Sequence, residues 1–267
     1  MQIALRCHSD LGKHIAQKLQ PLVSLDKIRK SQALIGSFQE ALQRGLELNL
    51  GDLLELEPLF KEQGIFDWEE FRVLALNAEL AVIAHSKLEA FEDYPLARKQ
   101  IERLVPMPDI MQAFNRIFDV EGDVMDNASP ELFQIRKRIM SIRSRVQKTV
   151  QNMLGEPRLS SYLQDHFVTQ REERFVLPIK ESAAPFVNGI VQGRSSSKAT
   201  VFIEPAEIVP MNNELQMAKQ DEKREIYRIL RDFSLSILLR KDAFLRNQTN
   251  LAELDYLYAC ARLGVAI

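Results

Sequence analysis

The chain has 267 residues, 46% of them apolar and 27% charged, which excludes a disordered segment and leaves room for a large core or two subdomains. Its 35 basic residues against 37 acidic ones give a net charge of −2, so it is not a polycation that coats nucleic acid indiscriminately, and any such contact is local. Cys7 and Cys260 lie at opposite ends without metal-ligand spacing, no signal-type segment opens the chain, and no apolar run reaches the length of a membrane span, so a reducing cytoplasm is the expected location and no membrane partner is expected.

From Met1 to about Phe118 the pattern is one of amphipathic helices joined by short loops. Leu11, Ile15, Leu19 and Leu22 form one apolar stripe, and Phe71, Leu74, Ala78, Ala81 and Leu88 form another. Pro21, Gly51, Gly64, Pro95, Pro106 and Pro108 fall between the periodic segments, and Asp67 with Glu70 has capping-box spacing. Trp68, in that first turn, reads as packing material.

Ser129-Pro130-Glu131 opens a long helix, because Ser accepts free N–H groups, Pro suits the first helical position and Glu faces the positive dipole end. Leu132, Ile135, Ile139, Ile142, Val146, Val150 and Met153 give it a seam for one partner helix, and Gly155 and Pro157 end it. At about 1.5 Å per residue it is roughly 35 Å long. Arg136, Lys137, Arg138, Arg143, Arg145 and Lys148 make it a basic rod without an acidic residue between Leu132 and Gly155. Arg136 and Arg143 flank one side of the seam, Arg138 and Arg145 the other. Two readings stand side by side: pairing with Glu214, Asp221, Glu222 and Glu225 of a returning helix, or direct contact with phosphates.

A β module follows. His166 to Gln170 with Arg174 to Lys180 reads as a hairpin around Glu172-Glu173, and Phe186 to Gln192 with Ala199 to Ile203 as a second around Arg194, Ser195, Ser196, Ser197 and Lys198. No acid lies between Glu181 and Glu204. Arg194, Lys198, the three serines and nearby Lys180 suit phosphate contacts and offer little for reading base edges, although a serine-rich turn is also a plain solvated turn. A return helix is expected from Met211 to about Asn247, with mostly polar first turns and a seam at Ile226, Ile229, Phe233, Ile237 and Phe244. A last helix from Leu251 to Ile267 carries Leu254, Leu257, Tyr258 and Ala261 on one face.

The expected fold class is therefore mainly α with a small β insertion. Residues 1–118 form a helical core, 119–157 an ascending helix, 158–210 the β module, 211–250 a descending antiparallel helix and 251–267 a helix returning to the core. Nothing in the pattern points to catalysis by this chain, and no catalytic, cofactor or metal residue is assigned. His8, His14, His85 and His166 lack ligand spacing, no glycine begins a phosphate-cradling G-x-x-x-x-G-K-[ST] loop, and no G-x-S-x-G elbow occurs. Glu69-Glu70 and Glu172-Glu173 are adjacent, so their side chains diverge into solvent.

Several stretches together resemble a known family. They are Leu163-Gln-Asp-His-Phe-Val-Thr169, Arg174-Phe-Val-Leu-Pro-Ile-Lys180, Gly189-Ile-Val191, Ser195-Ser-Ser197, Ala199-Thr-Val-Phe-Ile-Glu-Pro205 and Asn212-Asn-Glu-Leu215. With Asp10-Leu-Gly-Lys13, Asp123-Val-Met-Asp-Asn-Ala-Ser-Pro-Glu-Leu132 and Ile135-Arg-Lys-Arg-Ile139 they are similar to the region ahead of the ATPase domain in the second type of bacterial MutS protein, the Smr-bearing paralogue of the mismatch-repair protein. The resemblance implies a helical core and two long antiparallel lever helices with a β clamp at their tip that embraces double-stranded or branched DNA, in the service of suppressing recombination. Ribosomal RNA of stalled or collided ribosomes is the alternative target, and a coiled-coil scaffold is the rival from another class. ATP, Mg and dimerisation would belong to an ATPase domain expected to begin where this chain stops, and nuclease activity to an Smr domain. The start is expected to be short by about one helix, and the chain alone is expected to be a monomer or weak dimer. Two departures stand out. Gln192-Gly193-Arg194 and Lys198 replace the family's His-Asp-Gln and a loop Gly, and Glu172-Glu173 replaces an Asn-Gly turn.

Overall fold

Helix starts fall where short polar side chains can cap them. Ser9 accepts from Gly12 N, Ser129 accepts from Leu132 N, and Asp67 and Glu70 complete a reciprocal capping box with N–O distances of 2.9 and 2.8 Å. The computed structural model describes residues 2–51, 53–61, 64–91 and 94–265. Its helices are α1 (Asp10–Gln17), α2 (Leu25–Gln43), α3 (Trp68–Glu89), α4 (Pro95–Ile101), α5 (Pro108–Ile117), α6 (Pro130–Leu154), α7 (Pro157–Tyr162), α8 (Val209–Leu238) and α9 (Lys241–Val265). Between α7 and α8 lie strands β1 (Thr169–Arg171), β2 (Arg174–Lys180), β3 (Gly189–Arg194) and β4 (Thr200–Pro205). The fold class is thus mainly helical with one small antiparallel sheet. The chain divides into two compact units, one of Met1–Met125 with Leu230–Ile267, the other Asp126–Ile229.

In the first unit the α3 stripe is buried along its length, and Leu251, Leu254, Leu257, Tyr258 and Ala261 of α9 share a core with Phe38 and Ala41 of α2 and Ala81, Ala84 and Leu88 of α3. Phe71 stacks on Phe233 at a centroid distance of 4.7 Å. Trp68 packs as expected: Gly122, at φ +94, lies so close that a Cβ there would sit 2.8 Å from the indole. Two expectations fail here. Leu19 and Leu22 do not extend the first stripe, since α1 ends at Gln17 and both side chains are about half exposed; Pro21 disfavours helical geometry at the residue before it. The return helix does not run unbroken to Asn247. The chain turns at Leu239-Arg240, so Phe244 belongs to α9, where it is buried against Phe60. Neither Gly nor Pro marks that break.

In the second unit α6 matches its expected bounds, and α8 runs antiparallel to it. Ser129 at the start of α6 meets Glu225, Arg136 meets Glu222, and Arg145, more than two turns on, meets Glu214. The sheet order is β1-β2-β4-β3, all antiparallel. Phe175, Leu177, Ile179, Val201 and Ile203 from β2 and β4 share one core with Ile139 to Met153 of α6 and with Leu215 and Ala218 of α8. The first turns of α8 are therefore not simply polar, because they carry this contact. Both hairpins form, β2 within its expected limits and the other three strands one to three residues later in sequence than expected. Phe186 ends a 3-10 helix (Glu181–Phe186) that contains Pro185, which has no N–H for a ladder, and pairing starts only at Gly189. Glycine is required there, as a Cβ would lie 2.3 Å from Glu204 O.

The β1–β2 turn is strained. Glu172 and Glu173 both take left-handed backbone, φ 47 and 65, the geometry that tight hairpins reserve for Asn-Gly. Left-handed geometry costs an ordinary L-residue roughly 1–2 kcal/mol, and Asn relieves part of it. Glu172→Asn is expected to stabilise the protein by about 0.5–1 kcal/mol, read as a higher urea midpoint at unchanged slope; a lower midpoint would mean that the turn is not strained in solution.

Candidate nucleic-acid interface

Side chains two positions apart on an α-helix leave it about 160° apart, so the basic residues of α6 divide between its two flanks. On one flank Arg145 Nη2 donates to Glu214 Oε2 at 2.6 Å, and Arg138 reaches Glu214 Oε1 at 3.4 Å and Asp221 at 4.0 Å. Half of each guanidinium side chain stays exposed. Arg136, on the other flank, bridges Asp126 and Glu222 at 2.5 and 2.7 Å. The charge match between antiparallel helices therefore exists, with one change of partner: Glu225 accepts from Ser129 and Arg228 instead of from the rod. Lys137, Arg143 and Lys148 make no hydrogen bond or ion pair within the described residues.

The acid-free turn forms the outer end of the β3–β4 hairpin. Lys198 N donates to Ser195 O at 3.0 Å, Thr200 N to the Ser195 hydroxyl at 3.1 Å, and the Ser195 and Ser197 hydroxyls lie 3.2 Å apart. Lys198 adopts φ 58, so the position has the left-handed geometry that glycine takes freely, although a lysine occupies it. Ser196 and Lys198 are exposed, and Lys198 has no ion-pair partner among the described residues. Arg194 is different, being ion-paired with Glu181. Lys180 pairs across the sheet with Thr200, but its Nζ donates to Ser161 O at 3.1 Å. The structure thus gathers Arg194, Ser195, Ser196, Ser197 and Lys198 at one hairpin end, places Arg138 and Arg145 together on Glu214, and ties Lys180 to the end of α7.

A third cationic group lies on the second flank and was not singled out from the sequence. Lys219 Nζ binds Glu173 Oε2 at 2.8 Å, and Gln216 Nε2 donates to Glu173 O at 3.1 Å, laying the β1–β2 turn against α8. The hydrogen bond from Lys219 holds the Glu173 carboxyl below the usual range, with Lys223 and Arg143 adding their charge. The available signal was the i, i+4 spacing of Lys219 and Lys223 on the flank that matches Arg143.

Beneath the sheet is a polar cluster. Glu204, fully buried on β4, accepts from Arg174 at 2.7 Å, Asn212 at 2.9 Å and Gln192 at 2.6 Å; Asn212 also bonds both the N–H and the carbonyl of Phe175. This ties three strands to the first turn of α8. Among the described residues no group of three or more His, Cys, Asp or Glu side chains is placed to hold a metal ion, and no helix is long and apolar enough to cross a membrane.

The paired carboxylates set an acid limit on stability. Arg145 beside Glu214, Arg228 beside Glu225 and Lys219 beside Glu173 each hold the folded-state carboxyl below its ordinary value. A depressed folded pKa contributes stability above the unfolded value, near 4.3 for Glu, and that contribution is lost as pH falls through the folded values. Melting temperature is expected to be level near neutrality and to fall below about pH 4.3. Charge-neutral variants at Glu214 and Glu225 should flatten the fall, and an unchanged profile would show that these pairs are not made.

These elements define a mainly helical protein that bears a small antiparallel sheet on an ion-paired helix pair. No family model matches the chain. It is 32% identical to the putative endonuclease MutS2 of Bacillus subtilis (strain 168) over 273 residues, which take in 100% of this chain and 35% of that protein. It is 31% identical to the endonuclease MutS2 of Geobacillus sp. (strain WCH70) over 268 residues, 98% of this chain and 34% of that protein. The chain belongs to the MutS2 family, and it spans about a third of the length of these curated relatives.

Proposed function

We propose that this chain is the core, lever and clamp region of a MutS2-type protein, binding DNA without sequence preference and acting on mismatched, branched or recombining DNA. On this reading α6 and α8 are the levers, the four-stranded sheet is the clamp, and the Ser195–Lys198 turn rests on backbone phosphates. ATP turnover, dimerisation and strand cleavage belong to parts of the family protein outside the matched third. The observation that carries the reading is Lys198, without an ion-pair partner among the described residues, at the exposed end of a hairpin that has no acidic side chain between Glu181 and Glu204. Point charges and hydroxyls of this kind bind phosphate and carry no base information.

The test is the salt dependence of binding to a mixed-sequence duplex and to a branched junction, read by fluorescence anisotropy. Lys198→Gly removes the charge and suits the left-handed backbone, and is expected to reduce the log–log salt slope by about 0.9, the share of one phosphate contact. Adding Arg194→Ala brings the total loss to about two contacts only if phosphate draws Arg194 away from Glu181. Binding to ribosomal RNA but not to DNA at low salt would replace DNA with the ribosome as the target; binding to neither would leave a structural scaffold.

A further inference from the structure

The two flanks of the α6–α8 pair are built differently. Where Arg138 and Arg145 lie, α8 supplies Glu214 and Asp221. Near Arg143, α8 supplies Lys219 and Lys223, which gather with it about Glu173, and like charges at i, i+4 oppose helix stability. Glu222 on the same flank is taken by Arg136, and among the described residues the carboxylate that closes on this group is Glu173, which does not come from either helix. It arrives on a hairpin turn whose two central residues both sit in strained left-handed geometry. The turn belongs to the sheet's edge hairpin, whose outer strand has only three residues. Lys219 is 17% exposed beneath the contact and Glu173 54%, while Arg143 and Lys223 are exposed and make no hydrogen bond or close ion pair within the described residues. Three cations thus share one carboxylate, which solvent reaches and which a strained turn holds in place.

We infer that Arg143, Lys219 and Lys223 form a second subsite for backbone phosphate, occupied in the free protein by the Glu173 carboxylate as a built-in anion. A phosphodiester arriving on this flank takes the place of Glu173 and meets three donors at once, two of them with no partner to lose. The inference rests on the reading of this unit as a nucleic-acid-binding element, but it concerns residues separate from the Ser195–Lys198 turn. It accounts for a pair of glutamates at a turn where neither conformation nor charge repulsion favours them.

The experiment compares duplex binding by the full chain, by Glu173→Gln, by Glu172→Gln and by Glu173→Gln combined with Lys219→Gln and Lys223→Gln, across a salt series. Glu173→Gln keeps the side-chain length and a hydrogen-bond acceptor for Lys219, so the fold is retained, with thermal melts as the check. It is expected to steepen the salt slope by about 0.9 and to tighten binding at low salt. Glu172→Gln, the same change in net charge one residue away, is expected to do less, and the triple variant should return to the parent slope. If the parent binds and Glu173→Gln has the same slope, the subsite is overturned and the tip reading stands. If the parent fails to bind while Glu173→Gln binds, the subsite stands and the tip reading falls. If Glu172→Gln matches Glu173→Gln, the effect is one of net charge and the subsite is overturned. If no variant binds, both are overturned.

Discussion

Glu204→Ala is expected to destabilise the sheet-bearing unit by about 3–5 kcal/mol, the range for removing one partner of a buried charged pair. Glu204 is fully buried, and its carboxylate is the shared acceptor for Arg174 of β2, Gln192 of β3 and Asn212 of α8. Alanine would take from a guanidinium that is only about a quarter exposed and from two amide groups the acceptor they share, and a partly buried charge that loses its partner costs more than a made hydrogen bond contributes. The loss should be regional. Amides of β2 and β4 should lose protection from hydrogen exchange, while those of α3 and α9, which are held by a separate core, should keep theirs. Glu204→Gln should fall between parent and alanine, because its oxygen still accepts while its amide N–H faces another donor. Removing Arg174 together with Glu204 should recover part of the loss, since the unpaired charge then goes too. A cost below about 1 kcal/mol for Glu204→Ala would show that the carboxylate is hydrated in solution.

The second large effect is expected at Asp255 of α9. Its carboxylate accepts from His8 N at 2.9 Å, Ser9 N at 2.8 Å and the Ser9 hydroxyl at 2.6 Å, and that hydroxyl in turn accepts from Gly12 N at 3.0 Å to cap α1. One buried side chain thus docks the beginning of the chain onto a helix some 240 residues later in sequence. Asp255→Ala orphans two backbone donors and a hydroxyl, and at about 1–3 kcal/mol for each buried unsatisfied group the loss is expected to reach about 3–5 kcal/mol. The approach is close: a Cβ on Gly12 would lie 2.3 Å from Asp255 Oδ2, so Gly12→Ala should release the same segment from the other side. Cys7 supplies an independent readout. Burial, the Asp255 charge and then neighbouring Cys260 push its thiol up to about 11, which keeps it protonated and slow toward thiol reagents. In Asp255→Ala both larger causes weaken, and Cys7 should react faster under native conditions. Unchanged stability with unchanged thiol reactivity would mean that the segment before α1 is not docked in this way.

Much of this protein is written locally. The bounds of α6 follow from Ser129, Pro130 and Gly155, the start of α3 from Asp67 and Glu70, and the antiparallel partnership of α6 and α8 from charges that flank complementary seams. Caps and seams act between residues three or four apart, which a helix brings together whatever the rest of the chain does, and the same helical repeat sets the charges on the flanks of each seam. The two hairpins were legible for a similar reason, since their partners are near in sequence. What sequence left open were the contacts made across long separations. The order β1-β2-β4-β3, the role of Glu204 and Asn212 beneath the sheet, the docking of His8 and Ser9 on Asp255, and the turn at Leu239-Arg240 that sends Phe244 into the aromatic core leave no periodic trace. The same holds for the candidate interface. The serine-rich turn could be picked out by composition, whereas the engagement of Arg194 by Glu181 and the closing of the Arg143, Lys219 and Lys223 group by Glu173 could not. Each depends on loops closing to place one residue against another a dozen or more positions away, as Arg194 to Glu181 and Lys219 to Glu173 are. Such contacts are selected by the burial and charge balance of the assembled unit, and local preference decided against the strained glutamate turn that tertiary structure nevertheless holds.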